Sequence, residues 1–190
     1  LLLLESTRQS ATGLLSFLEL LSQQERIFSA GDNPYVRSHP LTSARIKHVR
    51  EHVAKSKYSN LEANPQLESM HDRMRGKLKG FINPSEITLQ EYGPENQSLG
   101  AQYARAIALA KDQEINRAVL VVDGLITTSP QDPFLYELKG DLLKRGGYTQ
   151  DAVTPYKKAL ELLPWAALIR INLAQLQLEN GSVEQLVKSR

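Results

Sequence analysis

The most chemically suggestive cluster in this sequence is His48-Val49-Arg50-Glu51-His52. Imidazoles four residues apart share one helix face and can chelate a divalent cation, and His-x-x-Glu-His is the inverted form of a zinc-protease signature. The surrounding pattern argues against that use. Ile46, Val49 and Val53 form the apolar stripe of the segment, and at about 100° per residue both histidines fall away from it. Arg45, Lys47, His48, Arg50 and His52 read instead as a solvated basic face. The inverted motif also needs a large sheet, and no stretch of the chain shows the sustained alternation of a strand. Other chemistry is missing: there is no Gly-x-Gly-x-x-Gly, no phosphate loop and no Gly-x-Ser-x-Gly elbow. Four histidines without a cysteine leave no structural zinc set, no disulfide and no thiolate nucleophile.

The elements that would position such residues read as helical throughout. Leu14, Leu18 and Leu21 mark one face over Ser10–Arg26. Residues 30–41, with one Gly and two Pro, read as an ordered loop, and Thr42 as the N-cap of the helix that carries His48 and His52. Leu67, Met70, Met74 and Leu78 form another 3.6-period stripe. Asn83-Pro84 suggests an N-cap followed by Pro at the first helical position, opening a short helix to about Tyr92. Gly93–Ser98 is the clearest linker.

Composition narrows the function classes. The chain has 190 residues, 41% of them hydrophobic and 23% charged, as in globular proteins. Its 23 Lys and Arg nearly balance 21 Asp and Glu, for a net charge of +2. That balance argues against a dedicated nucleic-acid binder, and no apolar run is long enough to span a membrane. The sequence opens without Met inside an apolar run and stops where a helix pattern is still in progress, so a piece of a longer protein is expected.

The strongest organisational signal is an internal repeat. Ala118 and Ala152 are separated by the same interval as Pro130 and Pro164. The second unit carries Tyr136, Gly140, Leu143, Gly147, Ala152, Tyr156, Ala159 and Pro164. Interval and residues together resemble the tetratricopeptide repeat, a helix-turn-helix unit of about 34 residues. The register gives units 99–132, 133–166 and an incomplete 167–190. The first is degenerate, with Val122 and Leu125 where the second has Tyr156 and Ala159. The third carries Leu173, Ala174 and Gly181 and is expected to begin its second helix beyond them. Pro155 lies inside a helix and predicts a bend or a loose first turn. Trp165 is expected to pack between the second and third units. Stacked helix pairs bury a shared core and present a groove that takes a peptide. By the resemblance, the groove-facing residues are Tyr103, Ile107, Lys111, Phe134, Glu137, Asp141, Lys144, Arg145, Ile171, Gln175 and Leu178. Packing or solvation is the competing role for each. The carboxylate-clamping Lys/Asn/Arg set of chaperone-binding members is not among them.

The N-terminal half carries a second resemblance. S-A-T-G-L-L-S-F-L-E-L-L (10–21), D-N-P-Y-V-R-S-H-P-L-T-S-A-R-I (32–46) and H-D-R-M-R-G-K-L-K-G-F-I (71–82) resemble the C-terminal part and connecting helix of HtpX/BepA-type zinc metallopeptidases, relatives of the CAAX prenyl protease (peptidase family M-forty-eight). Periplasmic members follow the protease domain with tetratricopeptide repeats. The family's catalytic motif, His-Glu-x-x-His, is absent from this sequence, so by this reading the chain is not itself catalytic and zinc belongs to the intact protein. The resemblance implies that His39 can fill the open zinc position and hold the enzyme latent; fixing the turn before Pro40 is its competing role. Arg45 matches the family's Arg on the following helix, as a substrate contact or as support for the loop.

The resulting expectation is an all-α chain. Residues 1–60 are the remnant of a metallopeptidase-like domain, 61–97 connecting helices and linker, and 98–190 the repeats. The expected function is to bind protein or peptide in the groove of a bacterial periplasmic or envelope metalloprotease, with self-association through the N-terminal helices left open. The alternative is a stand-alone tetratricopeptide adaptor with no link to proteolysis.

Overall fold

A computed structural model describes residues 1–28 and 43–188. Among the described residues the chain is all-helical, with ten helices and no strand: α1 (Leu2–Ser6), α2 (Thr12–Phe28), α3 (Ser43–Lys55), α4 (Pro65–Ile82), α5 (Ser85–Glu91), α6 (Leu99–Lys111), α7 (Ile115–Thr128), α8 (Pro133–Arg145), α9 (Thr149–Leu162) and α10 (Ala167–Lys188). They divide into two compact units, Leu1–Leu67 and Glu68–Arg190. Residues 61–97, read from the sequence as connecting, contribute α5 and nearly all of α4 to the second unit. Thr42, His39 and the loop at 30–41 lie outside the described residues.

The first unit has a thin core. Ala11, Ile46 and Val49 are buried, while Leu2, Leu3, Phe17 and Leu20 are exposed. Polar ties fix its ends: Ser10 Oγ and Thr12 Oγ1 donate to the Ser59 carbonyl at 2.8 and 3.1 Å, and Ser56 Oγ donates to Glu5 at 2.8 Å. The expected stripe of α3 buries Ile46 and Val49, but His52 departs from the expectation of a surface residue. It is half-buried, with Nε2 3.3 Å from Glu5 Oε2, because α1 contributes a carboxylate beside it.

The second unit is built on the stride of the sequence repeat. The first helices of successive pairs begin at Leu99, Pro133 and Ala167, and the second helices at Ile115 and Thr149. Short connections make α6–α7 and α8–α9 antiparallel hairpins. The caps repeat too. Ser98 Oγ accepts from Ala101 N, and Asp132, one stride further on, accepts from Phe134 N. So does the core: Ala101, Leu135 and Ile169 are buried at one position of the stride, and Ala108, Leu142 and Leu176 at another. Gly140 makes the hairpin crossing possible, since a Cβ there would sit 2.9 Å from the Tyr156 ring.

Four local expectations are corrected. The loose first turn expected from Pro155 is absent: α9 is continuous there and Ala152 N donates to the Tyr148 carbonyl at 3.1 Å; the carbonyl left without its helical donor, on Asp151, belongs to an exposed residue that water can serve. Trp165 is 79% exposed and does not pack between units, because the neighbouring Ile169 supplies that core instead. α10 continues past Gly181 as one helix, a Gly costing a helix interior about 1 kcal/mol without breaking it. α5 begins at Ser85, with Pro84 rather than Asn83 at its cap and no side chain capping it.

Candidate functional site

The predicted groove residues of α6 lie beneath another helix of the same unit, α4. Asp72 Oδ2 accepts from the Gly100 amide at 2.7 Å. A Cβ on Gly76 would meet the Gly100 carbonyl oxygen at 2.0 Å, and one on Gly80 would touch Ile107 at 3.0 Å. Lys111 Nζ then donates to the carbonyls of Gly80 and Phe81 at 3.3 and 3.2 Å, and to that of Asn83. Contacts advance in the same direction along both chains, so the helices run parallel, backbone against backbone at the glycines. Each terminus is matched by charge: an Asp of α4 serves the α6 amide end, and a Lys of α6 the α4 carbonyl end. Tyr103 and Ile107 are consequently buried.

The adjoining row of α4 faces α8. Arg73 Nη1 lies 2.6 Å from Asp132 Oδ2, the α8 cap, in a largely buried pair. Its guanidinium stacks 4.5 Å from the centre of the Phe134 ring. Lys77 stands next along the row and favours the ionised forms of Glu137 and Asp141. Phe81 closes the row beside a cavity of about 220 Å³ lined also by Ile107, Leu138, Asp141, Leu142 and Arg145.

Burial sets the electrostatics here. It raises the pKa of Glu137 against the opposing charge of Lys77. It also raises that of Asp141, against the hydrogen bond that Tyr156 donates at 2.5 Å. Tyr103 and Tyr156 are both pushed far up, first by burial. Tyr103 donates to the Phe134 carbonyl at 3.1 Å, tying α6 to α8.

The remaining predicted groove residues are more open. Phe134 is at the margin of exposure, while Ile171, Gln175 and Leu178 are exposed along α10. Lys144 lies 3.8 Å from Glu179, bridging α8 to α10, and Arg145 donates from Nε to the Ala110 carbonyl at 3.2 Å. The structure thus places Tyr103, Ile107 and Lys111 under α4, and Phe134, Glu137 and Asp141 along its edge. Sequence reasoning missed Arg73, Lys77 and the Gly76/Gly80 pair. The available signal was two glycines one turn apart in a helix otherwise rich in Met, Leu, Lys and Arg.

His48 is exposed, at the rim of an open cleft of the first unit lined by Leu14, Leu18, Arg45 and Val49. Among the described residues no three His, Cys, Asp or Glu converge to hold a metal ion. No helix among them is long and apolar enough to cross a membrane. No family model, curated protein or solved structure matches this chain.

Proposed function

We propose that this chain is the protein-binding, tetratricopeptide-type region of a bacterial envelope zinc metallopeptidase of the HtpX/BepA type, positioning substrate or partner proteins for catalysis that resides elsewhere. The observation that carries the binding role is the repeat stride, which recurs in helix starts, caps, turns and buried positions of the second unit. A stack of such pairs buries its core between neighbours and lets first helices line a recognition surface, here α8 and α10, since α4 covers α6. The link to proteolysis rests on the residues of 10–46 that resemble the metallopeptidase, with His39 as the regulatory zinc ligand in the intact protein. Zinc supplies Lewis-acid chemistry there; the residues of this chain contribute recognition.

Site-specific photo-crosslinking from Ile171 and Gln175 in envelope extract tests the binding role, because these residues are exposed on the proposed surface. Recovery of the same protein from both positions, and not from exposed Leu120 on α7, is the expected result. The proteolytic link is tested separately by the upstream reading frame, which must encode His-Glu-x-x-His and a secretion signal. Its absence there leaves the second reading, a tetratricopeptide adaptor with no protease, which the repeat stride supports equally.

A further inference from the structure

Two features of the surface between α8 and α10 are only partly matched by the fold, in which Asp141 accepts the Tyr156 hydrogen bond. The first is charge. Glu137 and Asp141 stand one turn apart on α8, half-buried, and neither forms an ion pair within 4 Å among the described residues. Lys77 acts on both carboxylates, Arg73 on Glu137 and Lys144 on Asp141, but Arg73 is already paired with Asp132 and Lys144 with Glu179. An excess of negative charge is therefore held where burial makes it costly. The second is apolar surface on both sides of that charge. On α10, Leu168 and Ile171 are exposed three residues apart. On α4, Met70 and Met74 are each more than half exposed. At about 100° per residue they lie within about 60° of the Arg73–Lys77–Phe81 row that faces α8, on the side away from α6. The stripe that would be core in an ordinary amphipathic helix thus borders the acidic ridge.

The chain already shows what this ridge recognises. α4 docks on α8 through a basic residue on a carboxylate and an aromatic ring, and a second basic residue one turn later before two more carboxylates. We infer that the open surface between α8 and α10 binds a basic amphipathic segment of a partner protein, its Lys or Arg side chains on Glu137 and Asp141 and its apolar side chains against Ile171 and the Met70–Met74 edge of α4. Met-rich edges repack around varied apolar side chains, so charge spacing sets the selectivity. This assignment rests on the proposed protein-binding role and specifies its ligand chemistry.

The test uses the full chain and three fluorescein-labelled helical peptides with the same leucine pattern, carrying Lys, Gln or Glu at every polar position. Fluorescence anisotropy is expected to rank Lys above Gln above Glu, with Lys over Glu by about tenfold or more at low ionic strength and less at high. Glu137→Lys should weaken the Lys peptide by about tenfold and spare the Gln peptide. Ile171→Glu should weaken both and, at an exposed position, keep the parent melting curve; Glu137→Gln, which keeps the side chain's shape, should weaken the Lys peptide in the same direction as Glu137→Lys and separates lost charge from any loss of fold. Equal binding of the three peptides, or indifference to all three substitutions, overturns the assignment. If the Gln peptide alone binds and still responds to Ile171→Glu, the protein-binding role stands and the basic preference falls. If no peptide binds and crosslinking from Ile171 captures nothing, both fall.

Discussion

Gln113 and Gly147, one repeat stride apart, hold the same left-handed backbone conformation, with φ of 64° and 80°. Each closes its hairpin with the same bond: Glu114 N to Leu109 O and Tyr148 N to Leu143 O, both 2.9 Å. One position is filled by the residue that adopts this conformation freely and the other by one that does not. Gln113→Gly should therefore stabilise the chain by up to about 1 kcal/mol, and Gly147→Gln should destabilise it by about 1–2 kcal/mol. Urea unfolding of both variants measures the pair. Destabilisation by both would show that the two turns are not equivalent.

The hairpin crossing gives a contrast between two glycines. Gly140 faces the Tyr156 ring with no room for a Cβ, whereas Gly124, in the interior of α7, has nothing within 4 Å. Gly140→Leu should cost about 1–3 kcal/mol through overpacking. Gly124→Ala should gain up to about 1 kcal/mol from helix propensity alone. Thermal melts of the two variants are expected to move in opposite directions, and an unchanged melting temperature for Gly140→Leu contradicts the crossing.

What was legible in the sequence was what repeats. Ala118 and Ala152, with Pro130 and Pro164, announced the stride because the same requirement is met again at a fixed interval, and Gly140 and Tyr156 marked the helix crossing within one unit. The place of α4 was not legible, for a physical reason. Hydrophobic periodicity assigns burial to Met70, Met74 and Leu78, yet these are exposed and the Gly76/Gly80 face is the one that packs. Backbone-to-backbone packing leaves no hydrophobic mark. Trp165 misled in the opposite way, as size suggested a core that Ile169 already fills.

The glycine contact makes the seating of α4 testable. The Gly100 carbonyl is backbone and cannot swing aside for a side chain at position 76. Gly76→Val should lift α4 from α6, and amide exchange over 68–82 should accelerate while that of α8 and α9 stays slow. Arg73→Ala removes a charged hydrogen bond to Asp132 and a stacking contact with Phe134, and should cost about 1–3 kcal/mol. Unchanged exchange in the Gly76→Val chain would exclude the described crossing.

Glu137 provides the pH dependence. Its carboxyl sits among Arg73, Lys77 and Asp141, and burial outweighs the two cations, so its pKa in the folded chain lies above the ordinary carboxylate value. A raised carboxylate pKa means the folded state binds more protons in the window between the unfolded and folded values, so stability falls as pH rises through that window. Above it the cost of holding a buried charge is fully present; below the ordinary value both states are protonated and the cost is gone. Glu137→Gln keeps the shape and removes the ionisation. The variant should match the parent at acid pH and exceed it in stability at neutral pH, with the difference opening as pH is raised. Urea unfolding across that range measures it, and a parent chain that gains on the variant as pH rises would reverse the sign and show that Lys77 and Arg73 outweigh burial.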